Sequence, residues 1–127
     1  MSRPSVFEYT IIRVVPRVER GECLNVGVVL FCRGQRFLAA RIHLDAARLR
    51  AFAPTIDIDA LREQLDHLQT VCVGGVAAGP IGELPQPERF RWIAAPRSTI
   101  IQMSATHTGL CADPEAALER LAERLVG

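Results

Sequence analysis

The first third of the chain has the hydrophobic and polar pattern of β-strands. Residues 7–15, FEYTIIRVV, are rich in β-branched and aromatic residues and end at Pro16. Residues 23–32, CLNVGVVLFC, are apolar on both faces, which indicates a central strand. A tight turn follows, in which Gly34 is able to take a positive φ angle, and residues 36–44 form a third strand. These segments predict an antiparallel three-stranded meander.

A helical spacing replaces the strand pattern after the meander. Asp45 caps a short helix over residues 46–53, and Asp57 or Asp59 caps a longer helix that extends to about Cys72. The apolar positions of the longer helix, at steps of four, three and four, are Leu61, Leu65, Leu68 and Cys72. We expect this stripe to face the core.

The second half of the chain adds a loop, two helices and one strand. Four glycines and three prolines predict a loop over residues 74–87. A short helix starts at Pro87, residues 99–105 form a fourth strand, and Asp113, followed by proline, caps the last helix. The order predicts an α+β fold in a single domain, 1–127. We expect a mostly antiparallel four-stranded sheet with helices packed on one face.

Polar side chains on the meander predict a binding face. Strand alternation places Arg13, Asn25 and Arg41 on one side of the sheet, together with His43, if the registers align. Gly27 would open a gap there, where a ligand or another backbone could approach. The predicted ligand-binding residues, including those at the mouth of the face, are Arg13, Arg20, Glu22, Asn25, Gly27, Arg41 and His43.

The same residues have a purely structural interpretation. The arginines and the histidine would then lie on the solvent side of a half-covered sheet, Arg20 would pair with Glu22 across a loop, and Gly27 would mark a β-bulge. The two interpretations differ in geometry, because a binding face needs Arg13 and Arg41 on the same side of the sheet. Opposite faces would exclude the site.

The basic residues restrict the chemistry. All fifteen are arginine, so a Walker phosphate loop, a protein-kinase active site and Schiff-base chemistry are excluded for this chain acting alone. The planar fork of arginine suits phosphate and carboxylate groups, although genome composition also explains the bias. Nine arginines and four acids fall in residues 1–50, against six and ten in residues 51–127. This asymmetry allows a modest basic face, but it is weak for a dedicated nucleic-acid binder.

Other candidate sites have simpler explanations. Ser104 and His107 could pair as nucleophile and base, but residues 104–109 are better explained as a turn before the last helix. The four cysteines lack a C-x-x-C pair, so we expect reduced, buried thiols and no metal or cofactor. The longest apolar run, residues 26–32, is too short to span a membrane, and we expect a cytoplasmic protein. A mean hydropathy of +0.15 favours a spare apolar surface for a partner.

The chain resembles a known bacterial family. YTIIRVVPRVERGECLNVGVVLFC contains a tyrosine strand, Pro16, the Gly21-Glu22 pair, Asn25 and a Val-Gly-Val-Val-Leu run. WIAAPRSTIIQMS and the last helix are similar to the rest of the family pattern, with Cys23 where an aromatic residue is common. The family is that of the domains of unknown function numbered three-zero-three-seven.

The resemblance implies a partner and no activity. Members of the family are often encoded beside HipA-like kinases, so we expect a non-enzymatic interaction or accessory protein that binds such a kinase or itself. One alternative is a phosphate-ligand or nucleic-acid binding module that uses the arginine-bearing face. A second alternative is a hydrolase that uses Glu22, Asn25 and His43.

Overall fold

The computed structural model describes residues 3–96 and 99–126. Its core is one antiparallel sheet of five strands, β1 (Ser5–Val14), β2 (Leu24–Cys32), β3 (Phe37–Ile42), β4 (Ile101–Met103) and β5 (His107–Cys111). The strand order is β3-β2-β1-β4, and β5 also pairs with β1. The predicted meander is therefore confirmed, with β2 between its two neighbours.

The fourth and fifth strands share one edge of β1. Tyr9 pairs with His107 and Ile12 pairs with Met103, so the two ladders differ in register by one residue. Ser104 fills the break between them: its N–H donates to the carbonyl of Ile11 at 2.9 Å, and its Oγ accepts from the N–H of Ile11 at 2.8 Å. Residues 101–111 thus form one interrupted strand along β1.

Three of the four α-helices of the described residues begin where the sequence predicts caps. They are α1 (Ala46–Phe52), α2 (Ile58–Val73), α3 (Gln86–Ala94) and α4 (Pro114–Leu125). The carboxylates of Asp45, Asp57 and Asp113 accept hydrogen bonds from backbone N–H groups in the first turns of α1, α2 and α4. The apolar stripe of α2 is buried as predicted.

Helices cover both faces of the sheet. On β2, Val29 and Phe31 pack in a cluster with residues of α2 and α3, whereas Val28, Leu30 and Cys32 pack in a second cluster with α4. Adjacent residues of a strand point to opposite faces, so the two clusters lie on opposite sides of the sheet. The α+β class is confirmed, but the prediction of helices on one face is wrong.

Three local predictions also need correction. The sheet has a fifth strand because residues 107–111 pair with β1 instead of forming a turn. The predicted loop contains 3-10 turns over Val76–Glu83. The turn after β2 is a 3-10 turn over Arg33–Gln35. The residue with a positive φ angle there is Arg36, with φ of 51°, and not Gly34 as predicted.

A buried arginine closes the C-terminal end of α2. Arg89, on α3, is only 8% exposed. Its Nη1 donates to the carbonyls of Val71 at 2.8 Å and Cys72 at 2.7 Å, and its Nε donates to that of Leu84 at 2.9 Å. Carbonyls in the last turn of a helix have no partner within it, so the guanidinium supplies the missing donors.

Candidate functional site

Four of the predicted site residues lie on the face that α4 covers. Arg13 on β1 and Asn25 on β2 are cross-strand partners, so their side chains lie on the same face of the sheet. Arg41 lies on this face too, because its partner Val28 on β2 also pairs with Ile11, two residues before Arg13. His43 and Arg41 line a small cavity of about 230 Å³ with Ala122, Glu123 and Val126 near the end of α4. The geometric condition for a common face is met by Arg13 and Arg41.

Gly27 lies on the opposite face. It pairs with Ile12 and Ile42, whose side chains pack in the α2 and α3 cluster. The ladder between β1 and β2 shifts after Ile12, which leaves Val26 as an extra residue, a β-bulge. A Cβ at position 27 would lie 2.8 Å from the carbonyl oxygen of Arg41, so the glycine permits close packing. The prediction that Gly27 opens a gap beside Asn25 is wrong.

A groove between β1, α1 and α4 contains two of the predicted residues, Arg13 and Asn25. We call it the arginine groove; it has a volume of about 430 Å³ and is lined by Arg13, Cys23, Leu24, Asn25, Arg48, Glu123, Arg124, Leu125 and Val126. The Asn25 amide connects two of its walls: Nδ2 donates to the carbonyl of Leu125 at 3.1 Å, and Oδ1 accepts from Nε of Arg13 at 3.4 Å. Three arginines, Arg13, Arg48 and Arg124, thus line one groove.

Sequence reasoning missed two of these three arginines. Arg48 lies on α1 and Arg124 in the last turn of α4, both exposed. Arg48 and Arg124 are 76 positions apart in the sequence, and no sequence pattern indicates that they share a groove with Arg13. Only the packing of both helices beside the end of β1 brings them together.

Arg41 and the loop residues do not join the arginine groove. Arg41 Nη2 lies 2.8 Å from Glu115 and 3.6 Å from Glu119, so two carboxylates of α4 neutralise it. Arg20 and Glu22 form an exposed ion pair and line a separate cleft of about 560 Å³, whose walls include Phe52. Glu22 and Asn25 therefore line different cavities, and the structure does not assemble a hydrolytic constellation from them.

The predicted serine and histidine pair at the interrupted strand have different partners. Ser104 Oγ accepts from Ile11 N–H and donates to the carbonyl of Ala105 at 2.8 Å, and Thr10 Oγ1 donates to the carbonyl of Ser104 at 2.8 Å. His107 instead packs against the ring of Tyr9, with centroids 5.2 Å apart. These contacts give Ser104 a structural role.

The two thiols with shifted pKa values are poor nucleophiles. Burial raises the pKa of Cys72 to about 12, although the nearby Arg89 acts in the opposite direction. Burial also raises the pKa of Cys111, with a smaller contribution from Cys32. Both side chains are therefore neutral thiols at physiological pH, and the reactive species of cysteine is the thiolate.

The outer edge of β5 carries an unusual apolar surface. Val6 and Leu110 are cross-strand partners on β1 and β5, and they are 61% and 69% exposed. The N–H and C=O groups of Ile11 both bond to Ser104. The backbone groups of the odd-numbered residues of β1 therefore face β4 and β5, and on β5 they bond to His107, Gly109 and Cys111. The N–H and C=O groups of Thr108 and Leu110 consequently point outward. We call β5 together with Val6 the β5 edge.

The described part of the chain lacks two structural features, a cluster of metal-ligating side chains and a membrane-spanning helix. Among residues 3–96 and 99–126, no three His, Cys, Asp or Glu side chains are grouped in a way that could hold a metal ion. Within the same ranges, no helix has the length and apolar character needed to cross a bilayer.

The comparisons with known proteins identify a family. Neither the curated proteins nor the solved structures contain a match to the chain. The model of a protein family of unknown function, DUF3037, matches residues 9–126 and so includes every strand and helix of the fold except the first residues of β1. The chain belongs to the DUF3037 family.

Proposed function

We propose that this chain is a non-enzymatic interaction protein that binds an extended segment of a partner protein along the β5 edge. The observation that supports the proposal is the exposed pair of Val6 and Leu110 beside unpaired backbone groups. An added strand would bond to the outward groups of Thr108 and Leu110, and an apolar side chain of the partner would cover the exposed pair. This is the recognition mode known as β-augmentation.

The β5 edge lacks the features that normally prevent strand addition. Natural proteins protect sheet edges with charged residues, prolines or covering elements. The sequence of β5, HTGLC, contains no arginine, acid or proline, and His107, Thr108 and Leu110 are exposed. At the other edge, β3 carries an arginine and Leu38 is buried. The β5 edge is therefore the better acceptor for a strand.

Other exposed apolar residues fit the proposal less well. Val73 and Val76 are 84% and 86% exposed, but they flank the glycines at the end of α2. They offer side-chain contacts without a row of backbone groups. Their exposure makes them a useful control surface.

The family resemblance supplies the partner for the test. We propose a HipA-like kinase as the protein that contributes the strand, in the bacterial cytoplasm. A second copy of this chain is the other occupant that we expected, and it would place two uncharged β5 strands side by side.

The experiment measures binding of purified HipA-like kinase by isothermal titration calorimetry. Thr108→Pro removes an outward N–H without disturbing the ladder to β1, and Leu110→Asp adds a charge to the apolar pair. Burying a leucine contributes about 1.5–3 kcal/mol, so Leu110→Asp should weaken binding at least about tenfold. A backbone hydrogen bond contributes about 0.5–1.5 kcal/mol, so Thr108→Pro should weaken binding at least about twofold. Val73→Asp is the matched control and should bind like the wild type.

Two other outcomes would reject the kinase or the edge. In one outcome, the wild-type chain does not bind the kinase, and light scattering shows a dimer that is lost in Thr108→Pro. This result would identify a second copy of the chain as the occupant of the β5 edge. Kinase binding that survives both edge variants and is lost in Val73→Asp would assign the interface to the end of α2. Circular dichroism should show that all variants are folded.

A further inference from the structure

We infer that the arginine groove is an anion site whose ligand is a phosphate monoester group, a site independent of the β5 edge. Arg13 and Val6 are seven positions apart on β1, which corresponds to about 23 Å. They also lie on opposite faces, since Arg13 is on the α4 side. The two surfaces can therefore be tested separately.

The arginines of the groove form no ion pair with a carboxylate of the described residues. The ion pairs of the described residues involve Arg20 and Arg41, and none includes Arg13, Arg48 or Arg124. Glu123 is the acidic residue that lines the groove. Among the described residues that line the groove, three positive charges thus face one negative charge, and an anion would complete the balance.

The groove is partly organised before a ligand enters. The Asn25 amide holds Nε of Arg13 and is itself fixed by the carbonyl of Leu125. Arg48 and Arg124 come from two different helices, so the three arginines that line the groove belong to three elements of the fold. A ligand that contacts all three needs several oxygens in different directions.

A phosphate monoester has the right chemistry and size. Its three terminal oxygens carry close to two negative charges at neutral pH, and guanidinium groups bind such oxygens with charge-assisted, often bidentate, hydrogen bonds. The volume of about 430 Å³ leaves room for the group to which the phosphate is attached. A carboxylate offers fewer oxygens to three arginines.

The structural alternative is that the arginines only stabilise the end of α4. The C-terminal end of a helix carries a partial negative charge that attracts cations, and Arg124 lies in the last turn. In that case the arginines would contribute to stability and would not bind an added anion. Binding measurements separate the two explanations.

The experiment titrates the folded chain with phenyl phosphate and follows ¹H–¹⁵N spectra at constant ionic strength. We expect saturable shifts at the amides of Arg13, Asn25 and Leu125. The double variant Arg48→Gln/Arg124→Gln should remain folded, because both side chains are exposed. Its affinity for phenyl phosphate should fall at least about tenfold, because two charged hydrogen bonds are lost. Arg62→Gln is the matched control, because Arg62 is an exposed arginine of α2 on the other side of the sheet.

Additional probes identify the class of ligand. Inorganic phosphate that binds as tightly as phenyl phosphate would mean that the free ion is the ligand, and tighter binding of phenyl phosphate would indicate a phosphorylated molecule or side chain. An oligonucleotide without terminal phosphates that binds more tightly than both, with steep salt dependence, would overturn the monoester assignment in favour of nucleic acid. No saturable shifts, or equal affinity in the double variant, would overturn the site.

Discussion

Replacing Arg89 with methionine tests how much a buried guanidinium contributes to this fold. The side chain is 8% exposed and donates to three carbonyl oxygens at 2.7–2.9 Å. No carboxylate of the described residues forms an ion pair with it. Its charge is stabilised by backbone dipoles, two of them from the last turn of α2.

The expected change in the free energy of unfolding is the difference between the cost of unsatisfied carbonyls and the desolvation penalty of the charge. Methionine keeps an unbranched apolar stem but leaves three carbonyls without donors, at about 1–3 kcal/mol each. Removing the charge returns the desolvation penalty of a buried guanidinium, which is several kcal/mol. We expect Arg89→Met to lower the free energy of unfolding by about 2–4 kcal/mol, because one cation satisfies all three carbonyls.

Urea unfolding followed by the fluorescence of the single tryptophan, Trp92, gives the measurement. The unfolding midpoint should fall while the urea dependence of the free energy stays unchanged. Arg89→Lys should give an intermediate loss, because an ammonium cannot reach as many carbonyls as the planar fork. An Arg89→Met variant at least as stable as the wild type would refute the reasoning, since desolvation would then exceed the hydrogen-bond contribution.

Position 74 provides an independent check of the same contact. Gly74 has φ of 82° and ψ of −175°, a conformation nearly restricted to glycine. A Cβ there would also lie 2.7 Å from Nη1 of Arg89. Gly74→Ala should therefore destabilise the wild type more than it destabilises Arg89→Met, where the clash is gone and only the backbone strain remains. Equal effects in both backgrounds would show that the clash is relieved by movement.

Three further predictions concern the core. Unfolded thiols lose their proton near pH 9.0, whereas Cys72 in the fold keeps its proton to about pH 12, so the unfolded state binds fewer protons and stability falls as pH rises through this range. The loss is at most about 1.4 kcal/mol per pH unit, and Cys72→Ala should show a shallower decline in urea unfolding between pH 8 and 10.5; parallel declines would contradict this. Gly27→Ala should cost about 1–3 kcal/mol, because its Cβ would lie 2.8 Å from the carbonyl of Arg41, whereas Gly34→Ala, with its nearest atom at 3.5 Å, should change stability little. Ser104→Ala should cost about 1–3 kcal/mol by leaving a β1 backbone N–H unsatisfied, and a loss below about 0.5 kcal/mol would show that water replaces the hydroxyl.

The predictable parts of the fold are those specified by local residues. Asp45, Asp57 and Asp113 accept bonds from N–H groups two or three residues away, so their helices could be located from the sequence. The strand HTGLC has no such signal, and it is a strand because the free edge of β1 offers hydrogen-bond partners. The apolar run of β2 already indicated burial on both sides, which is inconsistent with helices on one face.

The candidate groove was predictable only where strand alternation applies. Arg13 and Asn25 were placed together from their positions on neighbouring strands, and they are cross-strand partners. Arg48 and Arg124 belong to helices whose docking positions depend on the whole core. No short-range pattern in the sequence specifies that arrangement.

A single extra residue decides on which face Asn25 lies. Continued regular pairing after Ile12 and Gly27 would place Asn25 opposite Val14, which is fully buried in the cluster beneath α2. A primary amide there would lose its water without a defined partner, at a cost of about 1–3 kcal/mol. The bulge at Val26 turns Asn25 to the α4 face, where it bonds to Leu125 and Arg13. The same bulge that keeps a polar group out of the core therefore forms one wall of the proposed anion site.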